Sequence, residues 1–348
     1  MRYSSNTNSK EHDIPMRILI MGGTLFLGRH IVEAALRNKH EITLFNRGLR
    51  NPGLFSEVER LTGDRDSDLS SLKGRYFDVV IDPSAYRPGQ VESLLDALGA
   101  LPRHYTLVST VSVYASFPPG SRYDEQAAVL TGDEGYGALK ARTEEALQRR
   151  LPSQTTIVRP GLIVGPHDPT GRFTYWMRRI DRGGDVLVPG RPDRPLQFID
   201  ARDLAEWIVL LTERSTSGVF NATGATVQTT MAQLLDCCVA EVGREACLHW
   251  LDDDTVTATD VEAWTELPLW IPENHPEFGG FMRANNDRAI AAGLTFRSMR
   301  QTVADTLAWS REVPDEPPSP VKVVPLSPER ELAILEQNNG RLPSGADA

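Results

Sequence analysis

Ile18 to Leu36 reads ILIMGGTLFLGRHIVEAAL: apolar residues, two adjacent glycines, a third glycine five positions on, and then an amphipathic run. A continuous apolar run bounded by glycine fits a strand buried on both faces, and three- and four-residue apolar spacing fits a helix packed on it. Gly22 ends the strand, and Gly28 lets the helix sit close to the sheet. Between them, Thr24 to Leu27 is where the backbone N–H groups of a helix N-terminus can meet a phosphate, so a dinucleotide pyrophosphate is placed there. A plain strand–helix turn uses glycine in the same way, so the motif is weighed by what surrounds it. In a Gly-x-x-Gly-x-x-Gly reading the central position, residue 25, is Leu. The loop therefore carries a side chain there or takes a different path.

Beyond this unit the chain alternates. RILIMG, EITLFN, FDVVIDPSA, YTLVSTVSVYA and QTTIVRPGLIVG read as strands, with LGRHIVEAALRNKH and GALKARTEEALQRR as helices. That order predicts an α/β fold: a doubly wound parallel Rossmann sheet, right-handed crossovers and ligands at the carboxyl ends of the strands. The pattern loosens after Gly165 and returns over Leu196–Thr223, so a smaller C-terminal substrate lobe is expected to be discontinuous. The expected division is a disordered tail (1–15), a dinucleotide-binding domain (16–165), a lobe segment (166–195), a return to the sheet domain (196–223), the rest of the lobe (224–310), and a proline-rich linker with a terminal helix (311–348). Ser327 is a plausible cap for that helix, with Glu329–Glu331 in its first turn.

Charge and composition narrow the partners. The net charge is −10, which disfavours non-specific attraction to nucleic acid or an anionic membrane. No run approaches the ~20 apolar residues of a membrane span, and MRYSSNTNSKEHDIP lacks a signal-peptide core. A cytoplasmic chain is expected, acting on a small molecule, with no nucleic-acid or membrane partner. Cys237, Cys238 and Cys247 fit neither a disulfide framework nor a zinc spacing; they are expected as buried reduced thiols, with no metal site.

At the end of the second strand an NAD site offers a carboxylate to the ribose hydroxyls. Asn46 and Arg47 stand there instead. Arg47 can pair with a 2′-phosphate, which favours NADP and leaves NAD possible; an ordinary surface arginine is the alternative. GDRD at 63–66 offers Asp64 to the adenine amino group, or forms a solvated turn, with Arg65 beside it as a further cofactor-binding candidate.

YGALK sets Tyr136 and Lys140 on one face of a helix, and TGDE before it offers Thr131 and Glu134 as a capping box. A phenol of pKa about 10 is a poor acid–base group at neutral pH. A neighbouring ammonium favours the phenolate, so the pair can move a proton to or from a carbinol while a nicotinamide moves a hydride. Tyr-x-x-x-Lys alone is common. Upstream, LVSTVSVY adds Ser109, Thr110 and Ser112 as hydroxyls for the reacting oxygen.

Taken jointly, Gly22-Gly23-Thr24-x-Phe26-Leu27-Gly28, the STVSVY strand and Tyr136-x-x-x-Lys140 resemble the extended short-chain dehydrogenase/reductase superfamily, in its NAD-dependent epimerase/dehydratase branch, over roughly residues 16–310. The resemblance implies a cofactor held by Gly22, Gly23, Thr24, Leu25, Phe26, Leu27 and Gly28. Ser84, Ala85 and Tyr86 would lie along it, and Pro160 to Ile163 would approach the nicotinamide. It implies that Thr110, four residues before Tyr114, bonds the substrate oxygen. Tyr136 is then the acid–base, and Lys140 binds the nicotinamide ribose and tunes Tyr136. A homodimer through a four-helix contact is also implied. Sugar-nucleotide 4,6-dehydratases carry Asp-Glu after the Thr; Val111 and Ser112 stand there, so a dehydratase is not expected. Leu162 and Leu196 occupy positions where nucleotide-sugar enzymes tend to carry Asn and Arg, although Arg194 is near, so a nucleotide sugar is not favoured.

Ser112, His167 and Arg172 are substrate-side candidates, His167 because the family builds its pocket in that loop. Arg172, Arg178, Arg179 and Arg182 either greet an anionic group or form a solvated helix face. Trp250, Trp264 and Trp270 either wall a ring-shaped ligand or pack the core, and LDDDTVTATD reads as a solvated loop. The function expected is an NAD(P)-dependent oxidoreductase or epimerase interconverting a secondary alcohol and a ketone on a small polar metabolite. The alternatives are a cofactor-sensing regulator, a nucleic-acid-binding relative on the same fold, and a structural subunit that docks through its tail.

Overall fold

A computed structural model describes residues 15–225, 229–313 and 323–338. Residues 1–14 of the expected tail and 314–322 of the expected linker lie outside them. In chain order the first elements are β1 (Arg17–Met21), α1 (Phe26–Arg37), β2 (Glu41–Asn46), β3 (Glu59–Thr62), β4 (Val79–Asp82), α2 (Pro88–Ala97), β5 (His104–Val108), α3 (Tyr136–Arg150) and β6 (Thr155–Pro160). After them come β7 (Leu162–Val164), α4 (Thr174–Asp181), β8 (Gly184–Pro189), β9 (Pro195–Leu196), β10 (Phe198–Asp200), α5 (Ala201–Glu213) and β11 (Gly218–Ala222). The chain closes with β12 (Thr229–Thr230), α6 (Met231–Val242), β13 (Ala246–Leu251), α7 (Asp253–Thr257), α8 (Asp287–Ala291), α9 (Met299–Glu312) and α10 (Pro328–Asn338).

Seven strands form one sheet in the order β11-β6-β5-β4-β1-β2-β3. The pairings from β3 through β6 are parallel, which is the Rossmann arrangement expected from the alternation. β1 pairs with β2 on one side and β4 on the other, so strand order reverses there, and a crevice opens at such a point. Ile18, Leu19, Ile20, Val79, Val80 and Ile81 are fully buried, as strands covered on both faces require.

The chain divides into two compact units. The first comprises residues 15–109, 131–158 and 205–219, and its core gathers Leu19, Phe45, Val80, Leu94, Tyr105 and Leu147. The second comprises 110–130, 159–204 and the described residues from 220 onward. It holds the strand pairs β7·β10, β9·β12 and β8·β13 around a core with Trp176, Met177, Leu187 and Trp270. Residues 110–130, which the sequence reading kept with the sheet domain, cluster with the second unit. Rings hold them there: Phe117 packs edge-on to Tyr123 and to Phe281, 5.1 Å between centroids in each case.

Several local expectations change. QTTIVRPGLIVG is two strands, broken at Gly161, where a Cβ would lie 2.9 Å from Thr223 Cγ2. LDDDTVTATD is not a loop throughout: Asp252 caps α7 by accepting from the Thr255 N–H at 2.8 Å. The helix of the YGALK motif starts at Tyr136 with Gly135 at its N-cap and no side-chain cap, so Thr131 and Glu134 do not form the capping box. Gly135 enters at φ +84°, a left-handed turn that starts the helix after TGDE has passed.

The terminal helix is part of the second core. Ser327 caps α10 as expected, its Oγ accepting from the Arg330 N–H at 3.2 Å, and Ile334 and Leu335 are buried. Arg179 is therefore not a ligand-facing cation: its Nε donates to Glu331 of α10 at 2.9 and 2.7 Å, and both side chains are buried. Of the three tryptophans, Trp270 is core, and Trp250 and Trp264 pack partly buried against it.

Candidate active site

The glycine loop is held by backbone necessity and two asparagines. Gly22 and Gly23 sit at φ +102° and +87°, and a Cβ on Gly23 would lie 2.7 Å from Leu44 Cδ2. A Cβ on Gly28 would lie 3.0 Å from the Gly23 N, so the third glycine serves close packing of α1 on the loop. Leu25 is tolerated because its backbone is extended, φ −128°, and its side chain is 47% exposed. The strained residue is Phe26, at φ +34°. Asn46 donates to the Gly22 carbonyl at 2.8 Å and accepts from Gly48 N–H at 2.9 Å. Asn51, which the sequence reading missed, donates to the Thr24 carbonyl at 2.8 Å. Its only signal was turn chemistry, an Asn in the Gly- and Pro-containing stretch GLRNPG.

This loop fits an anion. Helix α1 has no side-chain cap bond and no acidic residue in its first turn, so its N–H groups remain for a ligand oxygen. A Cβ on Gly22 would meet only Ser84 Oγ, 4.0 Å away, which leaves space over the loop. Arg47 is exposed beyond the end of β2 and has no partner among the described residues.

At the end of β4 lies a buried ionic network. Arg65 grips Asp82 with two nitrogens, at 2.9 and 2.8 Å, and donates to Ser84 Oγ at 2.8 Å. Tyr105 OH and Ser84 N–H also donate to the Asp82 carboxylate, at 2.7 and 2.9 Å. Burial works to raise the Asp82 pKa, but the Arg65 charge and these hydrogen bonds outweigh it and hold the carboxyl below the usual range. Ser84 Oγ reaches the Met21 carbonyl at 3.1 Å, which ties β4 to the end of β1. Asp64 holds a turn, accepting from the Asp66 N–H at 2.9 Å.

Lys140 is the second buried cation. On α3, it is 2% exposed and donates to the carbonyls of Ala85 and Val108, at 2.7 and 2.6 Å. Those carbonyls follow β4 and end β5, so the ammonium sits at the carboxyl ends of two neighbouring strands. Two of its three N–H groups are thereby committed. Burial pulls its pKa down to about 8. Its Nζ lies 5.5 Å from the centre of the Tyr86 ring, which in turn lies 6.0 Å from the ring of Tyr136. Tyr136 opens α3, one turn before Lys140, and is 51% exposed. Ser109, just past β5, donates its N–H to Val158 O at 2.6 Å, and its Oγ is buried without a partner among the described residues.

The remaining sequence candidates belong to the second unit. Thr110 is buried; its Oγ1 accepts from the Ser112 N–H at 3.1 Å and lies 3.2 Å from Ser112 Oγ. Pro160 ends β6, and Ile163 pairs with Ile199 in β7·β10. His167 has φ +69° and its ring lies 5.5 Å from Trp309. The Arg172 guanidinium stacks over Trp264, at 5.2 Å. Arg194 is buried and donates to the Leu269 carbonyl at 2.8 Å.

Residues 89–223 match the model of the NAD dependent epimerase/dehydratase family. The chloroplast stem-loop binding protein of 41 kDa b from Arabidopsis thaliana is 32% identical over 228 residues, 60% of this chain and 58% of that protein. The matched region thus spans under two thirds of that relative's length. A dTDP-6-deoxy-L-talose 4-dehydrogenase (NAD(P)(+)) from Kitasatospora kifunensis is 24% identical over 294 residues, 73% of this chain and 92% of that one. Among solved structures, UDP-glucose 4-epimerase from Thermus thermophilus, in complex with NAD, is similar with a TM-score of 0.62 and 18% identity, over 85% of this chain and 99% of that chain.

Proposed function

From the match of residues 89–223 to the NAD dependent epimerase/dehydratase family model, we propose that the chain is a member of that family, an oxidoreductase or epimerase that interconverts a secondary alcohol and a ketone on a small polar metabolite. The observation that carries this reading is the Lys140 ammonium, buried, bonded to two neutral carbonyls and one helical turn from an exposed phenol. A buried charge whose hydrogen bonds go to neutral carbonyls is costly to keep for packing alone. It is worth keeping where its field favours the phenolate of Tyr136.

Gly22 to Gly28 and the N–H groups of α1 would hold the pyrophosphate of a nicotinamide dinucleotide, with Ser84, Ala85 and Tyr86 alongside. Arg47 would take a 2′-phosphate, which favours NADP over NAD. Lys140 keeps one N–H for the ribose next to the nicotinamide. When bound, the dinucleotide supplies or accepts the hydride. Tyr136 takes the carbinol proton during oxidation and returns it during reduction, and the Thr110 hydroxyl donates to the reacting oxygen. Lys140 loses its charge as pH rises through about 8, so turnover falls over that range. Leu162 and Leu196 still weigh against a nucleotide diphosphate on the substrate, but the names of the relatives make sugar nucleotides with a free or oxidised 4-hydroxyl the first compounds to try. A homodimer, by family resemblance, and a cytoplasmic location, from composition, remain part of the proposal.

Parallel calorimetric titrations with NADPH and NADH test the cofactor. Arg47→Ala should weaken NADPH by roughly ten- to a hundredfold, the scale of one charge-assisted bond, and leave NADH unchanged. Equal NADPH affinity removes the 2′-phosphate claim. Tyr136→Phe should lower kcat by about a hundredfold or more with dinucleotide binding intact; unchanged kcat overturns the assigned chemistry.

A second reading comes from the Arabidopsis relative, whose name describes stem-loop binding. The net charge of −10 opposes it. Gel-shift titration with a hairpin RNA at about 0.1 M salt decides it, since backbone-driven binding persists there for a true binder.

A further inference from the structure

Strands β8 and β13 run parallel in the second unit, with Asp185 directly opposite Cys247. Along β13, Ala246, Leu248 and Trp250 pack on the core, so Cys247 and His249 share the opposite face. Asp185, Cys247 and His249 bring one carboxylate oxygen, one thiol sulfur and one ring nitrogen within 4.8 Å of one another. The His249 Nε2 meets Asp185 Oδ1 at 2.7 Å, and Cys247 is free and exposed, not buried as the sequence reading had it.

We propose that Asp185, Cys247 and His249 form a binding site for a thiophilic divalent metal ion, zinc or its equivalent, that clips β8 to β13. The donor set is one thiolate, one imidazole and one carboxylate, which suits zinc or cobalt(II) and leaves magnesium and calcium, which need more oxygens, poorly served. Around a tetrahedral zinc, ligand atoms stand about 3.3–3.6 Å apart. The three donor atoms already lie within 4.8 Å of one another on backbones paired in register, close to that spacing. Asp185 is further anchored through its carbonyl, which accepts from Arg179, so the strand that carries it is held from behind. Three protein ligands leave one position for water or an exogenous ligand.

The sequence concealed this site. Cys-x-His on one strand is too short to be a zinc motif, and the carboxylate comes from 62 residues upstream. The test uses the full chain, reduced, with cobalt(II) as the probe. The wild type should bind one ion and show a sulfur-to-cobalt charge-transfer band in the near ultraviolet. Cys247→Ser should abolish that band, Cys237→Ser should keep it, and His249→Ala should weaken binding by about tenfold or more. Zinc should raise the Tm of the wild type and leave that of Cys247→Ser unmoved. A wild-type protein without the band, or a band that survives Cys247→Ser, overturns the proposal. None of these readouts depends on dinucleotide chemistry.

Discussion

Two cations are buried at the carboxyl ends of the same sheet, and they are satisfied in opposite ways. Arg65 faces a full carboxylate, Asp82, which also takes bonds from Tyr105 and Ser84. Lys140 faces two neutral carbonyls. The first arrangement locks a charge: the Asp82 carboxyl is held down, and Arg65 is raised still further from titration despite its burial. The second keeps a charge negotiable, since burial pulls Lys140 toward neutrality, to about 8, and the fields of Asp82 and Glu144 offset that only in part. A closed ion pair is a structural brace that fixes the end of β4 beside the glycine loop. An open ammonium is a group whose field can be used. The comparison separates a residue that braces the end of a strand from one that, under the proposed function, works in the site.

The sharpest way to break this contrast is Asp82→Asn. It strands the Arg65 guanidinium in the interior and should cost about 3–5 kcal/mol, read by urea unfolding. A loss under 1 kcal/mol would mean the pair is solvated after all. Tyr105→Phe probes the same brace more gently, removing one bond to a buried charge, and should cost about 1.5–3 kcal/mol.

Lys140 makes the smallest but most diagnostic prediction. Its pKa is depressed in the fold, about 8 against 10.5 in the open chain. Between those values the unfolded chain binds more protons, so stability rises with pH, by about 1 kcal/mol from pH 8 to pH 9. Lys140→Met should lack that rise. Equal slopes in the two proteins would show that Lys140 is not desolvated in solution. At the acid end the same logic applies to His104, which burial pulls down to about 4 and which pairs with Thr156. Stability should fall as pH drops from about 6.5 to about 4, and His104→Gln should flatten that limb.

Much of the first unit was legible because its signals are local. Gly22, Gly23 and Gly28 announce a strand–turn–helix, and an apolar run bounded by turn residues announces each buried strand. The four-residue spacing of Tyr136 and Lys140 needed only helical periodicity. Leu25 looked like a defect in the motif and is not one, because the position is extended and the left-handed conformations fall on Gly22, Gly23 and Phe26 around it. The second unit was less legible. Glu331 read as a first-turn acid on a peripheral helix and is instead the buried partner of Arg179, 152 residues away. The stretch LDDDTVTATD carried its own helix cap, but a run of acids masks a single capping aspartate.

Local pattern and short-range stereochemistry, carried by neighbouring residues, were enough to specify the strand–helix order, the phosphate-sized loop and the phenol–amine spacing. Which cation is paired and which left open was decided only when the sheet brought Asp82 to Arg65 and the carbonyls of Ala85 and Val108 to Lys140. The same holds for a thiol, an imidazole and a carboxylate meeting across β8 and β13. Backbone periodicity is a property of adjacent residues, but the partner of a buried charge is chosen by packing between segments far apart in the chain, and no spacing rule encodes that choice.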